Sequence, residues 1–241
     1  MSFLEPLADK SLADRAYDTI RDAILRMALR PGETLVEAKL AAALGISKTP
    51  IRQALHRLEQ TGLVVGVPNK GYSVSELTQQ DAYEILELRA VLEGLAARRA
   101  CERLSAEDLD RLEELLDQAR AADLSGDAAL CAELGHAFHR LVHQRAENQR
   151  LSLMLSILND QFHRIRLLSS RVPGRLPRSM EEHARLFEAL QSRDAARAEE
   201  MMREHLFAVY REVQDDETLA HTHARPVASS APSPMGLSDD H

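Results

Sequence analysis

The chain has no tryptophan, five phenylalanines, four tyrosines and two cysteines in 241 residues. With so few aromatics, leucine and alanine must build the interior, and that composition favours helix over sheet. Cys101 and Cys131 are too few for a disulfide framework, and their spacing fits no zinc motif. No apolar run reaches the roughly eighteen residues that a membrane helix needs, so no membrane partner is expected. The opening stretch, MSFLEPLADKSLADRAYDTI, places acids early and has no apolar core, so it does not read as a signal peptide. These absences describe a soluble, cytoplasmic protein. A basic excess is also missing: the net charge is −8, which on its face argues against nucleic acid.

The distribution of charge changes that reading. Residues 1–77 carry ten Lys/Arg and nine Asp/Glu, a net of +1, whereas residues 78–241 carry twenty and twenty-nine, a net of −9. The acidity belongs to the second part, and such an asymmetry suggests two domains with different partners.

In the first part, SLADRAYDTIRDAILRMAL (11–29) places Leu12, Ala16, Ile20, Ile24 and Leu25 near helical spacing, with Ser11 as cap and Pro31-Gly32 as the break. VEAKLAAALGI reads as a short helix ended by Gly45. Ser47 then caps a third helix, which tolerates Pro50 in its first turn, turns Ile51, Leu55 and Leu58 inward and stops at Gly62. LVVGVPNKGYSV alternates apolar residues about an Asn69-Lys70-Gly71 turn, the pattern of two short strands. Helix, helix, turn, helix and hairpin make a winged helix-turn-helix, whose third helix enters the major groove by its N-terminal end.

That helix carries its polar groups where a polyanion would meet them. A helix N-terminus has unpaired N–H groups and partial positive charge, and Lys48, Thr49 and Arg52 lie in its first turns. Arg52 suits guanine O6/N7 or a phosphate, and Thr49 a phosphate or a thymine methyl. Ser47 is assigned to the cap. Lys70 and Gly71 at the wing and Lys39 on the preceding helix complete the candidate DNA-contacting set.

From Pro31 to Val74 the motif PG..L.E..LA..LG.S.TP.R.AL.RLE..GLV....KG..V resembles the DNA-binding domain of the GntR family of bacterial transcription regulators. The family usually has Arg where this chain has Lys48, so a point charge replaces a fork and bidentate base reading there is disfavoured. The resemblance implies a homodimer on a short palindromic operator.

After the polar linker SELTQQ the chain reads as helix throughout, near 79–101, 106–124, 127–146, 149–170, 179–191 and 194–214. Ser105 and Asp108 form a capping-box pattern, and SRVPGRLPRS reads as a long break holding two prolines. Six helices with short connections argue for an antiparallel bundle. The expected organisation is therefore mainly α: a winged helix-turn-helix over 1–77, an all-helical domain over 78–217, and a Pro-, Ser- and Ala-rich tail over 218–241 too poor in apolar mass to order.

His139, His183 and His205 lie on three different predicted helices, each at helical spacing from apolar partners, so all three point inward. Inward histidines are either hydrogen-bonded core residues or metal ligands. Arg89 points inward beside Ile85, Leu92 and Ala96; it is either an i, i+4 partner of Glu93 or a carboxylate clamp. Arg166 repeats the pattern with Phe162 and Leu158.

ELRAVLEGLAARRA, AFHRLVHQRAENQRL and EEHARLFEALQSRDAARAEEMMREHL resemble the FCD ligand-sensing domain of the FadR subfamily of GntR regulators. The resemblance implies a metal held by one Asp and three His beside a small organic acid. Here the Asp position, four residues before His139, is Gly135. His136 is the proposed substitute; a water or the effector's own carboxylate is the other way to complete the set, and hydrogen bonding without metal is a third. Zinc, nickel and manganese are the candidate metals. The resulting expectation is a ligand-responsive repressor, not an enzyme. The rival is a metal sensor or a metal-dependent hydrolase using the same histidines.

Overall fold

The computed structural model describes residues 10–68 and 71–214. Lys70 and the 218–241 segment, both assigned roles above, lie outside the described residues.

Helix α1 (Leu12–Leu25) begins with a capping box: the Ser11 hydroxyl accepts from the Asp14 N–H while the Asp14 carboxylate takes the Ser11 N–H. It buries Ala16, Ile20 and Ile24. The helix ends before the Pro31-Gly32 break predicted from sequence. Met27 adopts φ +61, and the Ala28 and Met27 N–H groups bond to the Ala23 and Ile24 carbonyls. That is a Schellman closure made without glycine. Methionine gives no signal of such a turn, so periodicity alone extends the helix to 29.

Strand β1 (Thr34–Leu35) leads into α2 (Glu37–Leu44), which ends on Gly45 at φ +65, and α3 (Lys48–Gln60) follows. The wing is β2 (Val64–Val67) and β3 (Gly71–Val74). Strand β1 is too short to show in sequence alternation; it pairs antiparallel with β3, giving the order β1-β3-β2. Ile51, Leu55 and Leu58 of α3 are fully buried against Ile20, Ile24, Leu35 and Leu63. Those contacts fix the three helices and the wing as one winged helix-turn-helix, as the sequence predicts.

The second part is the expected antiparallel bundle: α4 (Gln79–Cys101), α5 (Ala106–Leu124), α6 (Ala128–Arg145), α7 (Gln149–Ser169), α8 (Arg175–Gln191) and α9 (Ala195–Val213). Thr78/Asp81 and Ser105/Asp108 make capping boxes. The one displaced boundary is the start of α8. The helix begins at Arg175, not near 179, because Pro177 sits in the first turn, where no N–H is needed for an intrahelical bond. The α4 face of Ala82, Leu86, Ala90, Ala97 and Ala100 packs with Met202, Leu206, Val209 and Val213 of α9 in one core.

Helix α7 touches both parts. Asp160 accepts from Arg21 of α1, the Gln161 amide donates to the Thr61 carbonyl at 2.8 Å, and Arg164 donates to the Ser75 carbonyl at 2.9 Å.

Candidate functional site

The N-terminal end of α3 is open. Ser47, Lys48, Thr49 and Arg52 are exposed, as are Lys39 on α2 and Gly71 at the start of β3. Gly71 has φ +89, a conformation that only glycine adopts without strain. Ser47 occupies the N-cap position but its side chain makes no capping bond. Pro50 explains this. It is the third residue of the helix and has no N–H, and that N–H is a usual target of an N-cap hydroxyl. The hydroxyl and the first-turn N–H groups are left for another acceptor or donor, which suits a phosphate. Arg52 is held in a fork by Glu37 of α2, Nε to Oε1 at 3.0 Å and Nη2 to Oε2 at 2.9 Å. The Arg52 bond keeps the Glu37 carboxyl below its ordinary range.

In the bundle, His139 (α6), His183 (α8) and His205 (α9) are all more than nine-tenths buried. The His139 Nε2 lies 3.0 Å from the His183 Nε2 and 3.3 Å from the His205 Nε2. Glu93 of α4 contacts the His139 Nδ1 at 2.9 Å, and Glu182 of α8 contacts the His205 Nδ1 at 2.7 Å. Burial alone would raise the Glu93 carboxyl, but Arg89, His143 and His139 outweigh it and hold it well below the carboxylate range. Burial likewise opposes ionisation of Glu182, and His205 and Arg175 prevail.

Two ionised carboxylates can only accept, so each partner histidine carries its proton on Nδ1. Burial drives the His139 pKa down to about 4 against the pull of Glu93, so its ring is neutral and its Nε2 bears a lone pair. The Nε2 atoms of His183 and His205 converge on it. Three buried imidazole nitrogens gathered about one point suit a cation among the rings. The spacing agrees: nitrogens bound at zinc distances in a tetrahedron are about 3.3 Å apart. Carboxylates behind the ring nitrogens are the supporting shell that orients metal-binding imidazoles. The residues present therefore fit a divalent metal.

Gly135 faces this cluster, since a Cβ there would come 3.2 Å from the His183 Cε1. His136 lines the adjoining cavity, but the atoms that converge within metal-binding range belong to His139, His183 and His205. Among the described residues the other such group is Glu93, His139 and His143. Burial and the Arg166 charge push the His136 pKa down to about 3.

The cavity next to the cluster has a volume of about 650 Å³ and is lined by His136, His139, His183, His205, Arg166 and Arg175. The Arg166 side chain approaches His163 at 3.2 Å, and among the described residues its buried Nε has no partner. Burial and the neighbouring Arg89 charge lower the Arg166 pKa to about 10. The buried Nη1 of Arg175 is likewise unpartnered among the described residues. Arg89 does not line the cavity: it pairs with Glu93, Nε to Oε1 at 2.7 Å, and its guanidinium stacks 3.9 Å from the Phe162 ring centroid. It anchors the carboxylate behind His139.

Sequence reasoning treats Glu93 only as a partner of Arg89 and overlooks Glu182 and Arg175. Their partners lie far along the chain or a turn or two away on the same helix, and no spacing rule marks them.

An open helix end on a winged domain, joined to a buried cationic cavity in a helical bundle, defines a DNA-binding regulator with a sensor. Residues 12–74 match the gntR family of bacterial regulatory proteins, and residues 84–208 match the FCD domain. The chain belongs to the GntR family of transcription regulators and carries an FCD domain. It is 30% identical over 190 residues to the uncharacterized regulator YdhC of Bacillus subtilis, covering 78% of this chain and 85% of that one. It is 27% identical over 190 residues to the transcriptional repressor RspR of Escherichia coli, covering 79% and 83%. The solved structure of E. coli McbR/YncC superposes with a TM-score of 0.67 at 27% identity, over 85% of this chain and 99% of that one.

Proposed function

We propose that the chain is a homodimeric repressor whose hold on a palindromic operator is set by a small carboxylic acid bound beside a divalent metal. The observation that carries this reading is the half-buried Arg166 guanidinium, whose buried Nε has no partner among the described residues and which lines the same cavity as three converging imidazoles. A cation drawn partly out of water favours an anion, and a carboxylate satisfies both a guanidinium and a metal. His139, His183 and His205 would hold the metal, with zinc, nickel or manganese as candidates. When bound, the metal supplies a Lewis-acidic charge for the acid group. Glu93 and Glu182 fix the rings. Gly135 contributes no ligand, which leaves that position to water or to the effector's own carboxylate.

Lys39, Ser47, Lys48, Thr49, Arg52, Lys70 and Gly71 make up the proposed DNA-contacting set, and the protein acts where the chromosome is, in the cytoplasm. Leu88, Val91 and Leu95 recur along α4 at helical spacing and are exposed, as are Leu153, Met154 and Ile157 on α7. Contiguous apolar faces of this kind are association surfaces. A two-fold dimer through them presents two α3 helices to two half-sites. Hydrolysis is disfavoured because the two carboxylates in contact with the histidines, Glu93 and Glu182, are engaged by ring nitrogens and arginines.

The test is a gel shift on the DNA upstream of the protein's own gene, with metal-loaded protein and a panel of organic acids. Retardation that one acid relieves supports the proposal. No retardation removes operator binding at that DNA, and relief by metal alone makes the protein a metal sensor.

A further inference from the structure

The bundle does not enclose the cavity alone. Arg21 and Leu25, both on α1 of the winged domain, line it as well. Its charged walls are Arg21, Arg166 and Arg175 against a single carboxylate among the described residues, the exposed Glu133. Arg21 also makes the ion pair that joins the two parts: its Nε lies 2.6 Å from Asp160 Oδ2 and its Nη2 2.5 Å from Oδ1. Asp160 is buried on α7, and among the described residues Arg21 is the only cation paired with it. One guanidinium thus serves both a domain-spanning fork and the wall of a ligand cavity.

A fork engaged edge-on by one carboxylate cannot offer the same edge to a second. We propose that Arg21 is a ligand-binding residue supplied by the DNA-binding domain, and that the distal carboxylate of a small dicarboxylic acid exchanges with Asp160 for it. The proposal rests on the organic-acid reading above. Within the bundle, Arg166 and Arg175 each keep a buried N–H without a partner among the described residues, and they take the first carboxylate. Arg21 stands on a separate element and takes the second. Occupancy is thereby transmitted: α1 packs Ile20 and Ile24 into the same core as Leu55 and Leu58 of α3, the helix that meets DNA. The coupling requires only that the acid bind the Arg21-engaged arrangement better than the Asp160-engaged one.

The test is calorimetric titration of the full chain with succinate, glutarate and adipate, and with butyrate as the single-ended probe. Wild type is compared with Arg21→Gln and Asp160→Asn. Arg21→Gln should weaken the best diacid by about tenfold, within the usual range of an allosteric coupling, while Asp160→Asn, which removes the competitor, should tighten it. Butyrate should bind all three proteins alike. The opposite directions are decisive, because a merely structural ion pair is broken by both substitutions and would move binding the same way in each. Equal directions, or an unaltered diacid affinity in Arg21→Gln, overturn the proposal while leaving the organic-acid reading standing. If no acid binds wild type, that reading fails and takes this one with it. Should Arg21→Gln not fold, Asp160→Asn decides alone: tighter diacid binding supports the exchange, and weaker or unchanged binding refutes it.

Discussion

Replacing His183 by alanine removes one of the three imidazoles whose Nε2 atoms converge, and it should abolish the response of thermal stability to metal. A ligand that binds only the folded chain stabilises it by about 2.7 kcal/mol at a hundredfold excess over its dissociation constant. For a chain of this size each kcal/mol moves the melting temperature by about 2–4 °C, so metal added to chelator-treated wild type should raise it by about 5–10 °C. The His183 ring also stacks on Phe138, with centroids 5.2 Å apart, so the substitution lowers stability on its own account. The difference with and without metal is therefore the quantity to read, by scanning calorimetry. Glu182→Gln is the milder companion: it spares all three ligands but weakens the group behind His205. Losing such a supporting carboxylate costs roughly 10–100-fold in metal affinity, so a large part of the shift should vanish at the same metal concentration. A wild type that shows no shift with zinc, nickel or manganese, or a His183→Ala variant that shifts as much as wild type, would refute the reasoning; the histidines would then be hydrogen-bonding walls of the cavity.

Arg52→Ala should abolish specific operator binding in a gel shift while calorimetry shows an intact fold, since a base or phosphate contact is worth about 1–3 kcal/mol and a dimer loses it twice; unchanged operator affinity contradicts this. Gly135→Asp should tighten metal, read by competition with a chelator, because a carboxylate there adds a fourth ligand once the His183 ring, 3.2 Å from the new Cβ, yields by a few tenths of an ångström; weaker metal binding would show that the position cannot reach the cluster. Metal-free protein should lose stability to acid, measured by urea unfolding, as pH falls from about 6.5, the unfolded histidine value, toward the folded His139 value of about 4. The sign follows from the depressed folded pKa: in that window the unfolded chain binds the proton and the folded chain does not. Val91→Glu, on the exposed α4 stripe, should shift the chain toward monomer in analytical ultracentrifugation, and an unaltered dimer would place the interface elsewhere.

Local signals fixed a large share of this protein before any contact was known. Leu55 and Leu58 at helical spacing, Gly45 and Gly62 as stops, and the capping box at Ser105 act within a few residues, so the order of helices and the winged domain were legible. The inward aim of His139, His183 and His205 was legible too, because a helix carries the apolar face and its histidine together. The misplaced boundaries have local causes that the sequence conceals: a left-handed Met27 closes α1, and Pro177 is tolerated inside the first turn of α8. What no local rule contains is which side chains of separate helices meet. The carboxylates behind the histidines, the N–H groups of Arg166 and Arg175 that lack a partner among the described residues, and an Arg21 shared between Asp160 and the cavity all follow from how the helices pack. Sequence periodicity says which face turns inward; the packing angles and offsets of the helices decide what that face touches.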